Sequence, residues 1–341
     1  MTNRYLRKLL DVAAEYGNAY ENESILITGA SGLVGGALLE VFVLMQREFN
    51  VSLQLNVLVR NAKSVPVSMY YSVIEGDTKT VDLSSYNFSY VFHAAGISSP
   101  NLYMKKPVDT IETNIVGTSN LLTYVSKMNI RRFLFVSTGE VYGHLDNVEY
   151  IDENMVGLLD FGATRSSYSE SKRSTENLVS AYGIQYGVPV NIARLSHVLG
   201  PYFSKTDQRI SAEFFRLAWH NQNIVLKSTG ETIRTYIFIT DVVSGFLHMA
   251  MYGDSGEIFN VTNSENSISI REFAEHVSHI NHVGVEFKVP SSFEIKSSAP
   301  MKVATFDDSK LKSIGWKPTT SILEAISIVN ERGIQENRID I

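Results

Sequence analysis

Residues 24–35 read SILITGASGLVG. A short apolar run, Ser24–Thr28, meets three glycines, Gly29, Gly32 and Gly35, in the spacing GxxGxxG. An apolar stretch of helical length and pattern, Leu33–Phe49, follows at once. A strand that turns through glycines into a helix is the phosphate-binding turn of a dinucleotide fold. Glycine permits the tight turn and lets the backbone approach a pyrophosphate, whose charge the helix N-terminus meets. Glycine-rich turns also form for purely structural reasons, so the motif takes its weight from its surroundings.

Those surroundings alternate regularly. Strands are predicted at 53–59, 71–75, 90–93, 133–136 and 190–195, and long helices at 108–128 and 167–186. Strands alternating with helices mean a parallel sheet covered on both faces, a doubly wound α/β architecture. Beyond about residue 200 the pieces shorten, which predicts a smaller substrate domain over 201–341, interleaved with the main domain of 24–200. Within 1–23, Leu6, Leu9, Leu10 and Ala13 fall at helical spacing and predict an amphipathic helix over 3–18. Its weak basic face favours docking on its own domain over lying on a membrane.

Composition narrows the function. The chain has 341 residues, 44% hydrophobic and 19% charged, which is too apolar for a disordered chain and leaves material for a large core. Thirty basic against 36 acidic residues, with no basic block, make nucleic acid a poor partner. With no cysteine there is no disulfide, thiolate metal site or cysteine nucleophile. No His/Asp/Glu grouping has metal-ligand spacing and nothing resembles GxSxG, so neither a catalytic metal nor a serine hydrolase is expected. No apolar run reaches membrane-span length, and Asp11 and Glu15 interrupt any signal-peptide pattern. The expectation is a soluble cytoplasmic protein with no membrane partner.

The second predicted strand ends at Val59 and is followed by Arg60. An acidic residue there would hold the ribose 2′-hydroxyl of NAD, whereas an arginine suits the 2′-phosphate of NADP, unless Arg60 is simply a solvated surface residue. Asp77 could meet the adenine amino group or cap a helix. Residues 137–143, STGEVYG, close the next strand at the end where open parallel sheets bind ligands. Tyr168 and Lys172 form a YxxxK one helical turn apart, so both can face one cleft. A tyrosine of ordinary pKa, about 10, is a poor base at neutral pH. A neighbouring ammonium and a positive nicotinamide ring would make its phenolate accessible, and the Thr138 hydroxyl can bond the same substrate oxygen.

With these motifs in this order, the chain resembles the extended short-chain dehydrogenase/reductases that modify nucleotide sugars. The likeness extends to GETIRTYIFITD (230–241) and DDSKLKSIGWKPTTSILEAI (307–326). It implies a doubly wound Rossmann NAD(P) domain with a smaller nucleotide-sugar domain, and a homodimer packed through the helices starting near Val108 and Ser167. It implies cofactor contacts at Gly29, Ser31, Gly32, Leu33, Val34, Gly35, Arg60, Asp77, Ala94, Ala95, Gly96, Asn114, Tyr168 and Lys172. It implies substrate contacts at Ser99, Tyr103, Ser137, Thr138, His197, Arg209 and Arg234. Asn114 could equally cap a helix, His197 pack in the interior, and Arg209 or Arg234 be exposed surface.

Members of this family share oxidation at sugar carbon 4, with Thr138, Glu140, Tyr168 and Lys172 the matching catalytic residues here. A 4,6-dehydratase motif resembles STDEVYG, and this chain has Gly139 where that acid would stand. Simple 4-epimerases usually carry small or hydroxylic residues at the place of Glu140. The chain is similar over more of its length to UDP-glucuronate decarboxylases, lyases of polysaccharide biosynthesis. Residues 98–114 (SSPNLYMKKPVDTIETN), 168–173 (YSESKR) and 207–210 (DQRI) carry that likeness. Those enzymes have Ser at position 139 and Asn at that of His197. The resemblance thus implies UDP-glucuronate decarboxylation with NAD, ahead of 4,6-dehydration, 4-epimerisation or an NADPH-dependent 4-keto reduction. A dinucleotide-binding scaffold without chemistry fits poorly with an intact Thr138, Tyr168 and Lys172.

Overall fold

Strand β1 (Ser24–Thr28) lies between β2 (Gln54–Val59) and β4 (Tyr90–His93) in the middle of a seven-stranded sheet. The computed structural model describes residues 4–146, 148–202, 207, 209–288 and 303–332. The strand order runs β3 (Ser72–Glu75), β2, β1, β4, β5 (Arg132–Thr138), β6 (Val190–Leu195) and β10 (Ile258–Val261), with every pairing parallel. Chain direction through the sheet reverses between β1 and β4, and such a switch point opens a crevice at the strand C-termini.

Both faces of the sheet are covered, which explains the continuous apolar strands. Ile25 and Ile27 pack on one side with α2 (Leu33–Phe49) and α7 (Ile239–Tyr252), while Leu26 packs on the other with α4 (Pro107–Val125) and α5 (Ser166–Tyr186). The same alternation runs through β5, where Leu134 and Val136 face one core and Phe133 and Phe135 the other.

The N-terminal helix α1 (Arg4–Tyr16) buries Tyr5, Leu9, Val12, Ala13 and Tyr16 against α2 and α7. Tyr5 donates a 2.7 Å hydrogen bond to Glu40 of α2, and Lys8 pairs with Glu324 at 3.2 Å. The helix therefore docks on its own chain, as its apolar spacing predicts. Among the described residues no helix is long and apolar enough to cross a membrane.

A second sheet centres on β9 (Ile233–Phe238). It pairs antiparallel with β11 (Ser267–Ser269) and parallel with β13 (Val303–Ala304) and β7 (His197–Leu199). Two short strands, β8 (Ile224–Leu226) and β12 (Val285–Phe287), pair separately near α6 (Ile210–Trp219) and α8 (Ile270–Asn281). Sequence reading did not anticipate β7 or the short helix α3 (Pro100–Lys105). Three residues are too few for a period-two pattern, and Pro100 sits at the one helix position a proline suits.

Candidate active site

A cavity of about 1170 Å³ opens at the C-terminal ends of β1, β4 and β5 and is closed from the other side by β7 and β9. Its first half is built by the glycine turn. Gly29 has φ +76°, and a β-carbon there would lie 2.7 Å from the Ala94 carbonyl and the Ala95 nitrogen, so the chain after β1 touches the chain after β4. Gly32 caps α2 with no side-chain acceptor on the first N–H groups, which leaves those donors for an anion. Ser31, Leu33, Val34, Gly35, Arg60, Asp77, Ala94, Ala95 and Gly96 all line this half. Asp77 also closes its own turn by accepting from the Lys79 nitrogen at 2.9 Å.

Beneath the turn runs a polar chain. Ala95 N–H donates to Thr28 Oγ1 at 3.1 Å, Thr28 Oγ1 meets His93 Nδ1 at 2.7 Å, and His93 Nε2 meets Thr118 Oγ1 at 2.9 Å. Thr118 donates to the Asn114 carbonyl at 2.6 Å. With that proton committed, Thr118 accepts from His93 Nε2–H, and Nδ1 accepts from Thr28. Burial and the nearby Lys172 charge hold His93 neutral, its pKa down at about 3. Asn114 stands behind the cavity wall rather than on it. Its Nδ2 donates to Ser171 at 2.8 Å, while Oδ1 is buried and without a partner among the described residues. That oxygen and Lys172 Nζ approach the same point above Gly96, at 3.0 and 3.5 Å.

The second half carries the reactive groups. Helix α5 presents Tyr168 and Lys172, both nearly buried, to the end of β5. Lys172 donates to the Val136 carbonyl at 2.8 Å and lies over the Phe135 ring at 4.5 Å. Burial pushes its ammonium down to about 8, against the pull of Glu176. Burial also raises the Tyr168 phenol above its ordinary value and the charge of Glu140 adds to this, while a hydrogen bond with Thr138 acts the other way. Ser137 lines the cavity, but its hydroxyl donates to Glu176, which Arg194 holds at 2.7 Å.

Glu140 follows Thr138 into a tight turn that Thr138 itself caps, its Oγ1 accepting from Glu140 N–H at 3.2 Å. The Glu140 carboxylate accepts from Arg165 at 3.2 Å and from Ser169 at 3.3 Å. Tyr103 is fully buried and off the cavity wall, stacked on Tyr168 and receiving a 3.0 Å bond from Arg165. Its expected substrate contact is thus replaced by a contact with the candidate base. Ser99, His197, Arg209 and Arg234 line the cavity. Arg209 pairs with Asp207 at 2.6 Å. His197 is exposed along the cavity, and the neighbouring Arg234 charge lowers its pKa. Arg234 is 7% exposed and donates to the Ile233 carbonyl, with no carboxylate in ion-pair contact among the described residues.

Among the wall residues that escaped sequence reading, Arg165 and Phe306 stand out. Arg165 precedes Tyr168 by three positions, a spacing that puts both on one helix face and could have found it. Phe306 reaches the cavity from far along the chain, and nothing local announces it.

A parallel sheet with this crevice, a glycine turn and a Tyr/Lys pair at the strand ends defines a dinucleotide-binding α/β protein of the short-chain dehydrogenase kind. The chain belongs to the NAD dependent epimerase/dehydratase family, whose match spans residues 25–262. It is 29% identical over 315 residues to UDP-glucuronic acid decarboxylase 6 of Arabidopsis thaliana, covering 91% of this chain and 88% of the relative. It is 26% identical over 321 residues to the dTDP-D-glucose 4,6-dehydratase of Bos taurus, covering 89% and 86%. Among solved structures, the UDP-glucuronic acid 4-epimerase of Bacillus cereus, in complex with UDP-glucuronic acid and NAD, superposes with a TM-score of 0.78. At 19% identity, over 91% of this chain and 98% of that one, this likeness shows the fold alone.

Proposed function

We propose that this protein binds NAD and decarboxylates UDP-glucuronate through a transient 4-keto sugar. The observation that carries the reading is Arg234, a buried cation lining the reaction cavity with no carboxylate in ion-pair contact among the described residues, Glu140 acting on it only through its charge. A buried guanidinium without a directly paired carboxylate suits an anionic ligand, and its fork fits a carboxylate in a bidentate manner. Its electrostatic coupling to Glu140 and Arg165 puts it at the reactive end of the cavity.

The glycine turn, the uncapped start of α2 and the cluster of Asn114, Gly96 and Lys172 would hold the dinucleotide. When bound, NAD supplies the hydride acceptor and donor that a transient ketone at carbon 4 requires. Tyr168 takes the proton of the sugar 4-hydroxyl, with Thr138 on the same oxygen and the Lys172 ammonium stabilising the phenolate. The sugar acid is then a β-keto acid. Its bond to the carboxylate breaks, the electron pair enters the enolate, CO2 leaves, and carbon 5 takes up a proton. Arg165 and Arg234 orient the carboxylate, while Glu140, held by Arg165, disfavours its charged ground state. Dehydration would instead need a proton donor for the leaving hydroxyl, and Gly139 offers none. The reading agrees with the decarboxylases among the relatives.

The test is mass spectrometry of products after incubation with NAD and UDP-glucuronate, UDP-glucose or dTDP-glucose. Loss of CO2 from the glucuronate alone is expected. Loss of water from a neutral sugar, or an epimer visible only by NMR, would replace this reading. The pairing of two copies through α4 and α5 is proposed with it, and sedimentation reads it directly.

A further inference from the structure

Residue 139 is the first past β5, between Thr138, which ends that strand, and Glu140, both on the cavity wall. A β-carbon there would lie 2.2 Å from Phe306 Cζ, 2.5 Å from Cε1 and 3.3 Å from the Leu195 carbonyl oxygen. No side chain therefore fits while the Phe306 ring stays in place. The ring has little freedom to leave. It is 2% exposed, lies 5.7 Å from the Tyr142 ring at 59°, and packs with Val141 and Ile151. Its backbone is pinned by a parallel bridge to Ile151: Ile151 N–H donates to the Thr305 carbonyl at 2.8 Å and Asp307 N–H to the Ile151 carbonyl at 3.0 Å. Phe306 N–H donates to Thr235 Oγ1 on β9 at 3.2 Å. Phe306 also lines the cavity itself.

We infer that Phe306 is a specificity-determining residue that takes the place of the residue-139 side chain and makes this part of the wall hydrocarbon. The inference deepens the proposed sugar site and rests on that reading for its substrate. A sugar hydroxyl seated against the Phe306 ring finds no partner in it, where a residue-139 side chain could have offered one, and a buried hydroxyl left without a partner is disfavoured. A hexuronate, whose outer oxygens can turn to Arg165 and Arg234, has no such loss. The ring thus selects a uronate over a hydroxymethyl sugar by withholding a partner rather than by supplying one.

The experiment is a double-mutant cycle on the full chain with Gly139→Ser, Phe306→Ala and the pair, read by thermal melting and by calorimetric titration of UDP-glucuronate and UDP-glucose. Gly139→Ser alone is expected to lower Tm by roughly 5 °C through overpacking, and Phe306→Ala in the same chain to restore part of that loss. The pair replaces hydrocarbon with a hydroxyl and should shift the affinity ratio toward UDP-glucose by about tenfold, whereas Phe306→Leu, which keeps the wall apolar, should leave it in place. Additive Tm changes would overturn the exchange of places, and an unmoved ratio in the pair would overturn the role in selection. If neither sugar nucleotide binds the parent protein, the proposed substrate fails instead. The melting cycle then still decides whether Phe306 occupies that place.

Discussion

The rings of Tyr103 and Tyr168 lie face to face, 5.1 Å between centroids and 3° from parallel. Tyr103 sits on α3, Tyr168 on α5, and Arg165 bonds both the Tyr103 hydroxyl and the Glu140 carboxylate. The proposed base is thus held by a ring whose own position depends on a guanidinium one turn before it. Tyr103→Ala should lower kcat at least tenfold by freeing the Tyr168 ring, since small misplacements of a reacting group are costly. Tyr103→Phe keeps the stack and should retain most activity. Steady-state kinetics with both variants tests the pair, and equal losses would mean that the hydroxyl matters rather than the ring.

Lys172 is 5% exposed and its pKa is pushed down to about 8, chiefly by burial. A cation so depressed costs the fold stability as pH falls below the ordinary 10.5, in full below about 8. Lys172→Met should abolish turnover, by about a hundredfold or more, yet leave Tm unchanged or higher. Melting curves and a product assay on one preparation check both halves. A strong fall in Tm would show that the bond to Val136 outweighs the cost of the buried charge.

His93 ties β1, β4 and α4 together as a neutral ring. Its pKa of about 3 lies below the ordinary 6.5, so in this range the unfolded chain binds a proton that the folded one does not. Its contribution is complete above pH 6.5 and is lost progressively as pH falls toward 3, at up to about 1.4 kcal/mol per pH unit. Denaturant melts at pH 7 and pH 5 should show that slope, and His93→Gln should reduce it at the expense of overall stability.

Arg60 lines the dinucleotide half of the cavity just past β2. Arg60→Asp should lower affinity for NADP relative to NAD, because a carboxylate repels a 2′-phosphate and can accept from a 2′-hydroxyl. Competition titrations of the two dinucleotides measure the ratio. An unchanged ratio would assign Arg60 to the surface.

The glycine turn, the strand-helix alternation and the Tyr168/Lys172 spacing are all local patterns, and local patterns are legible in a sequence. Each depends on backbone conformation or on periodicity within a few residues. So the parallel sheet, the cofactor turn and a part of the cavity wall could be read from the sequence alone. The substrate side was less legible. Arg234 could be named, but its lack of a carboxylate in ion-pair contact among the described residues depends on which other elements meet β9. Tyr103 was expected to face the ligand and instead supports Tyr168, because α3 packs behind the wall rather than over it.

What the sequence determined by itself is the α/β architecture, the dinucleotide turn and the Tyr168/Lys172 pair proposed as reactive, all written in short-range spacing. What only the tertiary structure decided is the shape and polarity of the space beside that pair. Gly139 read alone is a missing acid. Set against Phe306, some 167 positions later, it is a place filled by another residue's ring. Such contacts between distant segments follow from how layers pack, and no local period encodes them.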